Sequence, residues 1–185
     1  MNERPLLPGE FAVLGLLAIR PMYGYEMARY FDRDDLTEVC PIEQSLLYTY
    51  IRNVEERGLV TFTEERVGAR PPRKTYALTE SGRLLVNMWL RQPAERMREV
   101  RLEFLLKLYF LSQLDPAAEA DLLRRQIDVC EAYQARLADR LEGATGFQRV
   151  VAQSKHSAAE ATLRWLRSYA WELEQDALDT RGRKR

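Results

Sequence analysis

The chain has 185 residues, enough for one domain or two small ones. Its 28 Lys and Arg residues balance 28 Asp and Glu, and a cut after residue 92 leaves both parts close to neutral. No global basic field draws this protein to nucleic acid, so any DNA binding has to come from local placement of charge. Cys40 and Cys130 stand far apart, there is no CxxC, and His156 is the only histidine; a disulfide framework, a structural zinc site or a cofactor is not expected. No signal-like segment opens the chain and no apolar run approaches the roughly 20 residues of a membrane span, which predicts a cytoplasmic protein without a membrane partner.

In chain order, Pro8 to Ile19 reads as a helix crowded with Phe11, Val13, Leu14, Leu16 and Leu17. That crowding implies burial on more than one side. Arg20-Pro21 ends the helix. Gly24 precedes a second short helix in which Met27, Ala28 and Phe31 face inward, and "RDDLTE" reads as a polar loop. A third helix then opens at Pro41, whose missing N–H has no partner in a first turn anyway, with Glu43 at the positive end of the dipole. Gly58 is its stop. Leu47, Ile51 and Val54 recur at helical spacing as one apolar stripe, and Ser45, Tyr48, Thr49 and Arg52 recur on a neighbouring face. Taken alone, that second stripe is an ordinary solvated face.

The next segment changes the reading. "LVTFTEERV" and "KTYALT" carry alternating, β-branched and aromatic residues, and "GARPPR" between them is turn chemistry. From Arg66 to Lys74 there are basic residues (Arg66, Arg70, Arg73, Lys74) and no acidic one. A Pro-stiffened basic hairpin beside a polar helix face has the geometry of a winged helix-turn-helix, with the helix in the major groove and the wing on backbone or minor groove.

Thr79 is an N-cap for a fourth helix, "ESGRLLVNMWLRQP", broken at Pro93. Three helical segments follow, with Gly and Pro sparse. In the first, Met97, Val100, Phe104, Leu105, Leu108 and Leu111 share a broad apolar face. The second starts at Asp115-Pro116 and runs to about Gly143, with Leu123, Ile127, Cys130, Leu137 and Leu141 as its stripe. The third runs from Phe147 and carries Val151, Ala158, Trp165, Leu166, Tyr169 and Leu173. A helix pair of this size does not bury Trp165, Tyr169 and Trp171 against itself, and leaving them wet exposes a large patch. Either these helices fold back on the N-terminal domain or they form a dimer seam. Spacing two reading heads on a symmetric DNA site favours the dimer. The expected organisation is mainly α with a small β-hairpin: a DNA-binding winged helix-turn-helix over residues 1–92 and an all-α dimerisation domain over 93–185.

Several stretches carry a resemblance to the PadR-like transcriptional regulators. "FAVLGLLAIRPMYGYEMARYF" looks like the family's opening helix, Gly-Tyr-Glu turn and second helix, and "LLYTYIRNVEERGLV" resembles its reading helix. "RKTYALTESG" resembles the second wing strand, and "RLEFLLKLYFL" with the helices after it looks like the longer-tailed members, whose C-terminal helices dimerise. The family commonly has proline and glycine where this chain has Thr49 and Ser45. The resemblance implies that Tyr48 touches the DNA backbone, that Gly24-Tyr25 supports the helix-turn-helix, and that the wing grips flanking phosphates. The expected DNA-binding set is therefore Tyr25, Gln44, Ser45, Tyr48, Thr49, Arg52, Arg70, Arg73 and Lys74.

The leading functional expectation is a dimeric, ligand-responsive repressor on a two-fold symmetric operator. A small aromatic or hydrophobic effector is a further expected partner, with Trp89, Tyr109, Phe110, Tyr133, Trp165 and Trp171 as aromatics available to a pocket or to the core. The alternative is a winged-helix protein-interaction module that does not bind DNA, for which a neutral wing is the mark. An enzyme is not expected. His156 lies alone in the helical run "SKHSAAEA", and no Ser/His/Asp set, paired carboxylate motif or Gly-rich phosphate loop appears.

Overall fold

The computed structural model describes residues 4–33, 36–65 and 73–182. They form two compact units: one holds the residues up to Gln92 together with Arg98–Pro116, the other Pro93–Met97 and the chain from Ala117.

In the first unit, Pro8 starts helix α1 (Pro8–Ile19), and the Glu10 carboxylate accepts the Leu7 N–H at 2.8 Å to close its first turn. Val13, Leu14, Leu16 and Leu17 are buried, as their crowding predicts, together with Ala12, while Phe11 is half-buried. Strand β1 (Met22–Tyr23), helix α2 (Gly24–Arg33) and the single turn α3 (Leu36–Val39) follow. The stretch expected as a plain loop thus contains a helical turn. Leu36 is fully buried, and Thr37 Oγ1 donates to the Phe31 carbonyl at 2.6 Å.

Helix α4 (Gln44–Glu56) begins three residues after the expected Pro41, because Ile42 is drawn into the core and Glu43 takes the extended conformation of an N-cap. Leu47, Ile51 and Val54 are its buried stripe. Gly58 ends it at φ +68°, with Gly58 N–H donating to Glu55 O and Leu59 N–H to Val54 O at 2.8 and 3.0 Å. These two bonds are a Schellman closure, and the left-handed residue it requires is the one that has no Cβ.

The wing strands are β2 (Val60–Glu65) and β3 (Arg73–Leu78), and β1 adds to the far edge of β3 to give an antiparallel sheet in the order β1-β3-β2. The third strand is too short for alternation to reveal. Thr79 caps α5 (Glu80–Leu90) by accepting the Gly82 N–H, while its own hydroxyl donates to Gly58 O at 2.7 Å. One threonine therefore fastens the start of α5 to the end of α4.

After a short turn α6 (Met97–Glu99) and a π-helical segment over Val100–Phe104, α7 (Leu105–Leu114) packs on α1 in this same unit. This differs from the expected division after residue 92. The reason is packing: α1 is apolar all round and needs cover on the side that the winged helix leaves open. Phe110, fully buried, lies so close to Gly15 that a Cβ there would stand 2.3 Å from its ring. Phe11 stacks on Trp89 with centroids 4.4 Å apart. Lys107 is buried over the Trp89 ring, held by Glu103 at 2.6 Å and the Gln92 carbonyl at 2.8 Å, and Trp89 Nε1 also donates to Glu103. Burial lowers the Lys107 pKa, and Glu103 opposes that shift.

In the second unit, α8 (Pro116–Gly143) and α9 (Gly146–Gly182) run as long helices joined by a two-residue turn. Leu122, Leu123, Cys130 and Leu137 on α8 and Ala152, Ala159, Leu163 and Leu166 on α9 are buried. Arg167 pairs with Glu131 at 2.7 Å, and the Tyr169 hydroxyl donates to the buried Glu119 at 2.6 Å. Burial raises the Glu119 pKa against the lowering effect of that bond, and burial together with Glu119 raises that of Tyr169. Buried Gln126 accepts the Ala94 N–H and donates back to the Ala94 carbonyl, at 2.6 and 3.0 Å. Among the described residues no helix is long and apolar enough to cross a membrane.

Candidate nucleic-acid interface

The burial of Leu47, Ile51 and Val54 turns the opposite face of α4 to solvent. Gln44, Ser45, Tyr48 and Arg52 are exposed there and Thr49 is half-buried. Arg52 makes no ion pair among the described residues. It is therefore a cation with all its donors available. Thr49 differs: its hydroxyl donates to the Ser45 carbonyl one turn back, at 3.1 Å. Its proton is used within the helix, so what it offers a base edge is a methyl group and lone pairs.

Beside this face the start of α2 meets the root of the wing. Tyr25, Tyr48, Arg73 and Lys74, all expected as DNA contacts, line one open cavity of about 230 Å³ together with Tyr23, Gly24 and Tyr76. Gly24 is required by the close approach of Tyr48. A Cβ on Gly24 would stand 2.7 Å from Tyr48 Cε1 and 3.2 Å from its hydroxyl oxygen. Gly24 thus gives the Tyr48 ring its seat. Tyr25 remains 47 % exposed and stacks on Tyr23 with centroids 5.4 Å apart. The Glu26 carboxylate accepts the Tyr23 N–H at 2.7 Å, which fixes the entry into α2.

The wing is less positive at its root than its sequence suggests. The ladder sets Glu64 opposite Lys74 and Glu65 opposite Arg73, so each described wing cation faces a carboxylate across the strands. Lys74 Nζ also lies 3.7 Å from the centre of the Phe62 ring. Arg70, Arg66 and the Pro71-Pro72 turn lie outside the described residues.

Sequence reasoning missed Tyr23, Tyr76 and the Phe62–Lys74 contact. Strand alternation held the signal: residues 74 and 76 point to one side of β3, where cross-strand partners 64 and 62 meet them. It also missed Glu10, fully buried, which joins α1 to the reading helix. Glu10 accepts from Asn53 Nδ2 on α4 at 2.9 Å, from the Leu7 N–H and from Arg4. Burial pushes its pKa up, and these three donors outweigh burial and hold it below the usual carboxylate value.

The residues expected at a dimer seam separate into three groups. Leu123, Cys130, Leu137 and Leu166 are buried by the second unit's own packing, Ile127, Tyr169 and Leu173 are half-buried, and Val151 and Trp165 are exposed. Phe147, 79 % exposed, and Trp171, 62 % exposed, join the exposed apolar surface of α9. Of the aromatics available to an effector pocket, Trp89 and Phe110 belong to the first unit's core, and Trp165 in the second unit stacks on Tyr169.

An exposed polar helix face with one unpaired arginine, set beside a tyrosine-lined cavity and a hairpin, defines a winged-helix protein of the kind that reads double-stranded DNA. Residues 13–87 match the transcriptional regulator PadR-like family, and residues 100–174 match the family described as virulence activator alpha C-term. Negative transcriptional regulator PadR of Bacillus subtilis is 30% identical over 146 residues, spanning 79% of this chain and 76% of that protein. The Mycobacterium tuberculosis protein named "Probable transcriptional regulator Rv1176c" is 27% identical over 183 residues, with 89% and 96% covered. The crystal structure of Bacillus subtilis PadR in complex with operator DNA is similar at 25% identity and a TM-score of 0.45, covering 89% of this chain and 98% of that one. The chain belongs to the PadR-like family of transcriptional regulators, and it is a regulator rather than an enzyme.

Proposed function

We propose that this protein is a cytoplasmic repressor that binds a two-fold symmetric operator as a homodimer, with α4 in the major groove and the wing on the flanking backbone. The observation that carries the reading is the convergence of Tyr25, Tyr48, Arg73 and Lys74 on one cavity beside the exposed Ser45–Arg52 face. Phosphate-holding and base-reading groups then lie side by side, as a helix docked in the major groove requires. The repressing sense is supported by the Bacillus subtilis relative, a negative regulator by name. The dimer is supported by the exposed Val151, Trp165, Phe147 and Trp171 on α9, a run of large apolar side chains that a solvated helix rarely carries. Release of the operator by a small apolar effector completes the reading.

The test is selection of bound fragments from random DNA by the full chain, with the mass of the complex measured by light scattering. A palindromic motif with half-sites about one helical turn apart, held by two chains, is the expected result. A stable monomer on DNA refutes the dimer. Absence of any preferred fragment refutes sequence-specific repression and puts the protein-interaction module in its place.

A further inference from the structure

We propose that Asn53, held by the buried Glu10, is a positioning residue: it sets the rotation of α4 about its own axis and so the base selectivity of every position that α4 reads. The inference rests on α4 as the reading helix. Glu10, fully buried in the first turn of α1, accepts from Asn53 Nδ2 through Oε1 at 2.9 Å. Its Oε2 accepts the Leu7 N–H at 2.8 Å and the Arg4 guanidinium at 2.9 Å. The clamp is closed from the end of α4 as well, where Arg57 donates to the Arg4 carbonyl.

Successive residues of a helix stand about 100° apart. From the centre of the buried Leu47–Ile51–Val54 stripe, Tyr48 lies about 90° round on one flank and Asn53 about 130° round on the other. The stripe draws α4 onto the core, but hydrophobic attraction is non-directional and resists turning only weakly. The contacts that resist turning sit on the flanks. On one, the Tyr48 ring is seated against Gly24. On the other, Tyr50 lies so close to Gly9 that a Cβ there would stand 2.3 Å from its ring, and Asn53 bonds to Glu10. Two consecutive residues of α1 thus meet two residues one turn apart on α4. Of these contacts the hydrogen bond is the one with a preferred direction, and its acceptor is fixed by the Leu7 N–H and Arg4.

Side-chain ends stand about 5–6 Å from a helix axis, so a turn of about 10° moves them by about 1 Å. A recognition site needs its groups held within about 0.5 Å. A turn of α4 therefore misplaces Ser45, Thr49 and Arg52 together. Attraction to phosphates is longer in range and carries no base information, so it survives the same turn. Removing the Asn53 amide leaves Glu10 with Leu7 and Arg4 as donors, and alanine suits a helix better than asparagine. The fold is kept while the rotation of α4 is freed.

The experiment uses the full chain, the operator selected from random DNA, and a set of duplexes that each change one base pair of a half-site. Fluorescence anisotropy gives the discrimination at each position, which for the wild type should be about tenfold or more per changed pair. Asn53→Ala should reduce that ratio about threefold or more at every position read by α4. Affinity for non-specific DNA, the salt slope and the urea midpoint should stay near wild type. Asn53→Gln, which keeps an amide donor, should regain part of the discrimination. Glu10→Met should reproduce the pattern of Asn53→Ala, although a fully buried residue cannot reach DNA itself. Full discrimination by Asn53→Ala overturns the proposal. So does a loss confined to one base pair, because Asn53 then reads that pair directly. If Glu10→Met fails to fold, the positional pattern of Asn53→Ala still decides between these outcomes. Failure of the reading-helix assignment shows earlier and differently, as a wild type with no preferred operator, and takes the proposal with it.

Discussion

Gly24→Ala should weaken DNA binding without unfolding the protein. The new Cβ would stand 2.7 Å from Tyr48 Cε1, where ordinary contact begins at 3.4 Å, so the ring must retreat by about 0.7 Å. A tyrosine tip can do this at little cost to the fold. Alanine is also a better helix former than glycine by up to about 1 kcal/mol, and Gly24 has no left-handed backbone to protect. The effect on DNA is different. A hydroxyl–phosphate hydrogen bond of about 2.7 Å becomes ineffective when stretched by that amount, and a bond to a charged group is worth about 1.5–3 kcal/mol. Operator affinity should therefore fall about tenfold or more, and the square of that factor applies if both protomers of the proposed dimer lose the contact. Salt dependence should be unchanged, because no cation has been removed. Base preference should also survive, because a phosphate contact carries no base information. The assay is fluorescence anisotropy on the selected operator, with urea denaturation alongside. A cycle with Tyr48→Ala isolates the route: the double variant should bind no more weakly than Tyr48→Ala alone. Additive losses would show that Gly24 acts by some path other than the Tyr48 seat, and wild-type affinity of Gly24→Ala would show that Tyr48 does not touch DNA.

Three further outcomes follow from the same geometry. Arg52→Ala should cost roughly 1–3 kcal/mol on the preferred operator and relax its sequence preference, read by repeating the selection; unchanged affinity and preference would mean that this face of α4 points away from base edges. Arg73→Ala should flatten the slope of log affinity against log salt by about 0.9 per lost contact, up to about 1.8 in a dimer, whereas Glu65→Gln should tighten binding by removing the carboxylate set across the strands from the same arginine; an unchanged slope removes the root of the wing from the interface. Glu10→Gln should destabilise the first unit by about 1–3 kcal/mol through its hydrogen bonds alone. Because the folded pKa of Glu10 lies below its ordinary 4.5, its contribution is complete above that pH and is lost as pH falls through the folded value. The wild type should thus lose its advantage over Glu10→Gln in acid, and a constant gap down to pH 2 in denaturant titrations would refute the assignment.

Much of the first unit was legible because its determinants are local. Helical spacing marked the buried Leu47–Ile51–Val54 stripe, Gly58 announced the Schellman closure, and Thr79 announced the cap of α5. What was not legible depends on residues distant in the chain. Strand β1 has two residues and exists because Met22 and Tyr23 pair with Tyr76 and Thr75. The placement of α7 with the N-terminal residues follows from Phe110 meeting Gly15, a fit that neither helix declares by its own periodicity. Glu10 stands in the first turn of α1, where its position alone marks no partner. Only the approach of Asn53 and Arg4 makes it a junction between α1 and α4.

The site divides in the same way, and its electrostatics gain a physical consequence. Which residues face solvent on α4 could be read from spacing; what their neighbours do to them could not. Thr49 spends its proton on Ser45, Tyr48 rests on Gly24, and Lys74 lies over Phe62. Reading the basic wing from residues 66 to 74 alone gave it an uncompensated charge, yet the ladder sets Glu64 and Glu65 against Lys74 and Arg73. A cation that already faces a carboxylate gains less from a random phosphate than a free one does, since the approaching anion also meets the acid. The gain is recovered only when the duplex is seated so that the arginine or lysine reaches a phosphate while the glutamate is held away from it. Compensation of this kind weakens non-specific attraction more than it weakens the register that α4 selects. In a chain with no net charge, the proposed docking would then leave specificity to Arg52 and its neighbours on the helix and make the wing an anchor that holds only in the right place.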